Sequence, residues 1–513
     1  MGVAKILSSI TTVLPKTLRL EFHIHKRYQS ILKNLPFSHT QIMTFDNKKA
    51  YFRVLPESTR FSVSFLLDTD DFTFKKPVTV VRPVTDTVSS LLEKLDHKIL
   101  QQLEKKYSKK KKKKDEKIEF VLPDVKSVLL NKNEPVSDIE CEKLFEGNQN
   151  GEYVLKVCDV EYDVLLNCPW IENIKLPSEA YSGLPYHPKV FEAYCVDKSL
   201  SEFVWYRSAK KNNDWVRCHT GYFYIIQDED VGHQLLLSCT PKNQYLTGPE
   251  MKVMCPTVLP FEKTCFFEKR HTYTKTRTPL DEIRIVSYNI LADIYAETKD
   301  AINTLFSYCP LKALSIDYRR PLILKELHGY NADLVCLQEV DSKMYDRVLR
   351  LFFEDLNCRS EYFEKGAARE GTAIFFNNEK FKMLKSSYHM LSDEFEQGEV
   401  LRDLYDKLVT NESLMVRLKR LGTTLQVLVL QSLAKPSELI VVGNTHLYFH
   451  PDADHIRLLQ GVMCMKILEA EIEKIKKEVC TIILLSKIKV VNNYFSFILE
   501  SREKYKSCIL WRF

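Results

Sequence analysis

The chain has 513 residues, 45% of them apolar, with 74 Lys and Arg against 68 Asp and Glu, a net charge of +6. Six of the basic residues form one run, Lys109–Lys114, so the remainder is electrically balanced. A uniformly basic nucleic-acid coat is excluded, and any anion-binding surface must be local.

At about 150 residues per domain, the length suggests roughly three domains. The fourteen cysteines include no CxxC pair and no close cluster. Zinc fingers and ribbons are therefore not expected. A chain of this size needs no disulfide scaffold, so reduced thiols and no disulfide partner are expected. No apolar stretch reaches the ~18 residues of a membrane span, so no membrane partner is expected.

Residues 1–45 hold six Lys/Arg and a single acid, Glu21, interspersed with Ser8, Ser9, Thr11, Thr12 and Thr17. That composition is the one of a mitochondrial transit segment, which points to the mitochondrial matrix. A frayed basic terminus on a cytoplasmic protein is the alternative. Gly2 is followed by Ile6 where a myristoylation signal needs Ser or Thr.

Residues 46–180 read as a small α+β or mainly β region. Phe61, Val63 and Phe65 alternate with Ser62 and Ser64, the period of a half-buried strand. Val88, Leu91, Leu92, Leu95, Ile99 and Leu103 mark one face of a helix over 86–107. The helix runs into a Lys-rich segment, 105–117, expected as a solvated loop because like charges repel; a nuclear or RNA-contacting tract is the other reading. Tyr153–Val157 and Tyr162–Leu166 read as further strands.

Residues 185–262 carry an aromatic strand around Trp205, an acidic turn Asp228–Gly232, and an apolar strand with Cys239. This pattern suggests an immunoglobulin-like β-sandwich without its disulfide, a domain that binds or packs.

From 281 to 485 the texture is α/β. Strands are expected at Ile283–Ile290, Ala332–Val340, Thr372–Phe376, Leu425–Val429 and Leu439–Val442, with a helical stretch at Arg319–Leu327. Three of these strands end in polar residues: Asn289, then Gln338-Glu339, then Asn444-Thr445-His446. Strand ends in layered α/β folds border a common crevice, so Asn289, Glu339 and His446 are candidates for one site. A carboxylate and an amide are hard oxygen ligands suited to Mg²⁺, and a neighbouring His can bond a phosphate oxygen or move a proton. Such a set fits phosphate-ester hydrolysis. Each residue also has a plainer reading: Asn289 as a turn cap, Glu339 paired with a surface Lys, and His446 as a core histidine.

The run Val286–Asp293 resembles the opening motif of the deadenylase branch of the endonuclease/exonuclease/phosphatase superfamily. Tyr330–Val340 is similar to that branch's metal-carboxylate motif, and Glu370–Phe376 and Asn444–Leu447 match two further blocks in order. The stretches His271–Lys275, Cys309-Pro310, Asp317–Arg319 and Lys325–Leu327, with Trp205-Tyr206 and Asp230–Gly232 upstream, resemble the group of that branch that acts on 2′-5′-linked oligoadenylate.

The resemblance implies a four-layer α/β/β/α sandwich of α+β class behind β-rich N-terminal domains. It implies a Mg²⁺-dependent phosphodiesterase that trims oligoadenylate and poly(A) RNA in the mitochondrial matrix. Glu339 is then expected to hold Mg²⁺, Asn289 to help place the metal or phosphate, and His446 to stabilise charge on the scissile phosphate. Glu370 and Asn444 are expected to line the substrate site.

The family's later Gly-Asp-Phe-Asn and Ser-Asp-His blocks have no counterpart, since no Asp follows Asp454 and no His follows His455. A helix over 456–479 is expected, then a strand beginning at Thr481–Leu485, then an atypical tail, 486–513. The expectation is an incomplete sandwich with an apolar sheet face exposed to water. A catalytically dead form that binds RNA or a partner is the alternative function.

Overall fold

The computed structural model describes residues 41–69, 74–111, 125–136, 139–147, 151–158, 160–209, 214–261, 265–366, 369–479 and 487–492. The transit-like segment therefore lies almost wholly outside the described residues, as do Thr481–Leu485 and most of the tail. The chain divides into two compact units, Met1–Ser182 with Tyr186–Pro260, and Gly183–Pro185 with Phe261–Phe513. The regions read from sequence as 46–180 and 185–262 thus share one unit.

The first unit contains a seven-stranded sheet and a five-stranded sheet. In the seven-stranded sheet, Phe61, Val63 and Phe65 are buried as the alternation predicts, and they pack against Val88, Leu91, Leu95, Ile99 and Leu103 of the helix Val88–Lys111. Ser62 and Ser64 are buried too, and Ser64 shares a hydroxyl hydrogen bond with Thr79. The strand Arg60–Thr69 is therefore covered on both faces, not half-buried, because polar-to-polar pairing lets small hydroxyls sit inside at low cost. The helix takes in the first three lysines of the Lys109–Lys114 run, so the segment expected as a loop is helical through Lys111; the other three lysines lie outside the described residues.

The five-stranded sheet joins Gln41–Thr44 to strands of the 185–262 region. Trp205 is fully buried there and donates from Nε1 to the carbonyl of Gly221. Cys195 and Cys239 are free, one exposed and one buried, as are all cysteines among the described residues. Asp230, in the acidic turn, points into the fold. It is buried and accepts from Arg207, the Tyr224 hydroxyl and the Gln227 amide.

The second unit is built on two four-stranded sheets. The first holds β1 (Ile285–Asn289), β2 (Leu334–Asp341), β3 (Cys358–Glu364) and β4 (Glu370–Asn377), in the order β1-β2-β4-β3. β1 and β2 run parallel, joined by a crossover containing helix α1 (Ile316–Gly329). The second holds β5 (Phe381–Met390), β6 (Thr424–Ser432), β7 (Glu438–Thr445) and β8 (Lys487–Asn492), in chain order. β8 pairs in parallel with β7 and falls inside the segment read as an atypical tail.

The period-2 alternation of strands sorts the layers. Leu428, Leu430, Ile440 and Val442 face inward and pack on Leu334, Cys336, Ile374 and Phe376 of the first sheet. Their neighbours Val427, Val429, Leu439 and Val441 face outward and pack under helix α2 (Asp454–Val479), against Ile456, Met463, Ile467 and Leu468. On the outer side of the first sheet, Phe375 stacks on Phe353 of a helical turn, ring centroids 4.1 Å apart. The order is helix, sheet, sheet, helix, an α+β fold. Both faces of β6 and β7 are covered, in contrast to the exposed sheet face expected from sequence. Among the described residues no helix is long and apolar enough to cross a membrane.

Candidate active site

β1 and β2 end side by side, Asn289 opposite Gln338. The antiparallel partner β4 is interrupted between Leu337 and Val340, where β2 carries one residue more than β4. Glu339 sits in this bulge with φ +54°, in the left-handed region. For a residue with a Cβ that backbone costs about 1–2 kcal/mol, and bulges of this kind re-aim a side chain. The bulge turns Glu339 toward β1.

Asn289 donates from Nδ2 to Glu339 Oε1 at 2.7 Å. Its Oδ1 accepts from the amide of Leu291 at 2.9 Å, so the turn-capping role and the site role coexist in one side chain. Glu339 Oε2 accepts from the amide of Ala292 at 3.2 Å. No lysine pairs with Glu339 among the described contacts; its other neighbour is His446, whose Nε2 lies 3.5 Å from Oε1 and 3.5 Å from Asn289 Nδ2. Asn289, Glu339 and His446 therefore meet, from two sheets. Burial pushes the His446 imidazole below its ordinary range; Glu339 opposes that shift and Lys365 adds to it. The buried Nδ1 of His446 has no hydrogen-bond partner among the described residues.

Asn444 and Glu370 do not line an open substrate surface. Asn444 is fully buried. Its Nδ2 donates to the carbonyls of Leu337 and Ala373, each at 3.1 Å, and its Oδ1 accepts from Gln338 Nε2 at 3.0 Å. It pins β7 to β2 and β4 directly beneath Glu339. Glu370 is 1% exposed, accepts from the Tyr295 hydroxyl at 3.2 Å, and lies 3.6 Å from Lys365 Nζ. Burial raises its carboxyl above the ordinary range; Lys365 and Tyr295 offset part of that and Glu339 adds to it. The glycine of the Glu370-Gly371-Thr372 motif is steric: a Cβ there would lie 1.8 Å from the carbonyl oxygen of Phe363.

Tyr295 and Asp341 escaped the sequence reading, and Gln338 was read only as a polar strand end. Tyr295 presents a partly exposed ring beside Glu370, Gln338 holds Asn444, and Asp341 accepts from the Asp293 amide at 2.8 Å. Tyr295 and Asp341 lie inside or next to the motifs and were the readable signal.

Among the described residues no group of three or more His, Cys, Asp and Glu could hold a metal ion. Mg²⁺ does not need one, since it is held by one or two carboxylates together with water and substrate phosphate. Glu339, a carboxylate fixed by an amide and a backbone N–H at the mouth of the strands, is a hard oxygen donor of that type. The residues fit the ion.

No family model matches the chain. It is 36% identical over 330 residues to 2′,5′-phosphodiesterase 12 of Mus musculus, covering 60% of this chain and 53% of that protein. The Homo sapiens protein of the same name is 35% identical over 333 residues, covering 61% and 54%. The Ccr4 3′-5′-exoribonuclease subunit of the CCR4-Not complex of Schizosaccharomyces pombe is 31% identical over 191 residues, covering 35% and 26%. Among solved structures, ANGEL2, a 2′,3′-cyclic phosphatase, aligns with 27% identity and TM-score 0.32, over 41% of this chain and 52% of that one. The human Nocturnin catalytic domain aligns with 19% identity and TM-score 0.28, over 41% and 62%. The chain spans about half the length of the curated phosphodiesterase relatives it matches. It is a relative of the 2′,5′-phosphodiesterase 12 proteins and, over a shorter stretch, of Ccr4-type exoribonuclease subunits.

Proposed function

We propose that the second unit carries the metal-carboxylate part of a phosphodiesterase site that hydrolyses 2′-5′ oligoadenylate and removes 3′ poly(A) from RNA, with Mg²⁺ as cofactor and the mitochondrial matrix as location. The observation that carries the reading is the convergence of Asn289, Glu339 and His446 at 2.7–3.5 Å from two different sheets. The names of the relatives support the reaction class, and the basic, hydroxyl-rich residues 1–45 support the location.

Glu339 would hold the cation. When bound, Mg²⁺ supplies charge neutralisation at the phosphodiester. Asn289 keeps Glu339 Oε1 in place through its Nδ2. His446, 3.5 Å from both Glu339 Oε1 and Asn289 Nδ2, would offer a ring N–H to a phosphate oxygen. Glu370 takes no part in proton transfer at this phosphate, because its carboxyl faces Tyr295 and Lys365 inside the fold.

The test is incubation of the protein with 2′-5′-linked triadenylate and Mg²⁺. Release of AMP supports the reading. Tight binding with no release supports an RNA-binding role instead. Neither binding nor release contradicts both.

A further inference from the structure

The loop between β1 and α1 shows a division of labour along its backbone. Three consecutive amides point to the site: Leu291 to Asn289 Oδ1 at 2.9 Å, Ala292 to Glu339 Oε2 at 3.2 Å, and Asp293 to Asp341 Oδ2 at 2.8 Å. Aiming them that way forces Leu291 to φ +58°, a backbone that a leucine does not adopt unless its surroundings hold it. The carbonyls of the same loop turn away from the site, and one side chain collects them. Arg319, in the first turn of α1, donates from Nη1 to the carbonyls of Ile290 at 3.2 Å and Leu291 at 2.8 Å. Its Nη2 meets Asp293 Oδ1 at 3.2 Å, and its Nε donates to the carbonyl of Leu314 at 2.8 Å. The Arg319 side chain is 13% exposed and touches none of Asn289, Glu339 or His446 in these contacts.

We propose that Arg319 is a positioning residue for the metal site: by fixing the carbonyls of residues 290 and 291 it holds the strained loop whose amides set the Glu339 and Asp341 carboxylates. The inference rests on the reading that Glu339 holds Mg²⁺. The planar fork is what makes the arrangement possible. A guanidinium reaches carbonyls, a carboxylate and a further carbonyl at once in fixed directions, whereas an ammonium is a single point donor on a flexible stem. Groups that orient a metal ligand without touching the metal typically change metal affinity by about 10–100-fold when replaced.

The experiment is calorimetric titration of the substrate-free protein with Mg²⁺, and with Mn²⁺ as a second probe, on wild type, Arg319→Lys, Glu339→Gln and the double variant. Thermal melts are recorded alongside. The expected result is about a tenfold loss of metal affinity in Arg319→Lys, with no further loss when Arg319→Lys is added to Glu339→Gln, because the arginine acts through that carboxylate. Asp293→Asn, which keeps the amide but removes the charge facing Nη2, is expected to weaken the metal less and in the same direction. It serves as the reporter if Arg319→Lys does not fold. Metal affinity unchanged in both Arg319→Lys and Asp293→Asn, with only the melting temperature lowered, overturns the proposal and leaves the Glu339 reading standing. Wild-type protein that binds neither metal in a Glu339-dependent way overturns both.

Discussion

Gln338 Nε2 donates to Asn444 Oδ1 at 3.0 Å, joining the two sheets one residue from Glu339 and two residues from His446. This bond fixes the distance between the halves of the site, since Glu339 comes from the first sheet and His446 from the end of the second.

Asn444 is accordingly a structural pin. In Asn444→Ala the carbonyls of Leu337 and Ala373 lose this donor, and Gln338 Nε2 keeps only the carbonyl of Cys336 at 3.2 Å. Each of the three buried hydrogen bonds contributes about 0.5–1.5 kcal/mol, so urea denaturation should show a loss of about 2 kcal/mol or more. A variant that denatures like wild type while its KM rises would return Asn444 to the substrate surface.

Glu370 gives a pH-dependent prediction. Its folded-state pKa is raised above the ordinary 4.5, with burial as the main cause. The fold therefore disfavours the ionised carboxylate. Glu370's contribution to stability is complete below pH ~4.5 and is lost as pH rises through the raised value. Glu370→Gln keeps a neutral side chain at every pH. It should melt above wild type at pH 7.5, and the gap should narrow toward pH 5. A variant that melts below wild type at pH 7.5, by more than it does at pH 5, would contradict this.

How much of this was legible in the residues follows from where each signal is written. Asn289, Glu339 and His446 could be read because an apolar strand that ends in amide, carboxylate or imidazole stands out in one dimension, and because the motif order recurs. The inward turn of Asn444 could not. Both faces of β7 are buried, so alternation does not tell which polar residue is consumed inside. The bulge at Gln338-Glu339 is a backbone event that depends on β4 as partner. Arg319 acts through carbonyls, which no sequence pattern names. β5, with Lys382, Lys385, Ser386 and Ser387 among its apolar residues, has too weak an alternation to be found. The helix Val88–Lys111 outran its expected end because lysine is a good helix former and the apolar stripe behind it anchors the first turns.

On the proposed reading, His446 acts in the transition state. Its side chain is 18% exposed and lies at the mouth of the strands. His446→Gln should lower kcat for AMP release by about 10²–10³-fold, the usual cost of losing one donor to developing charge, with little change in melting temperature. An effect confined to KM would mean that His446 only binds the ground state.

The central claim is that Glu339 is the carboxylate through which this chain uses Mg²⁺. The direct measurement is the rate of AMP release from 2′-5′-linked triadenylate across a Mg²⁺ titration, for wild type and Glu339→Gln at matched folded concentration. A bound cation contributes several kcal/mol to charge stabilisation at a phosphoryl group, which corresponds to about a thousandfold in rate. The account predicts that wild-type release saturates with Mg²⁺, whereas Glu339→Gln is slower by about that factor and no longer responds to the ion. Equal rates and equal Mg²⁺ response in the two proteins would contradict it.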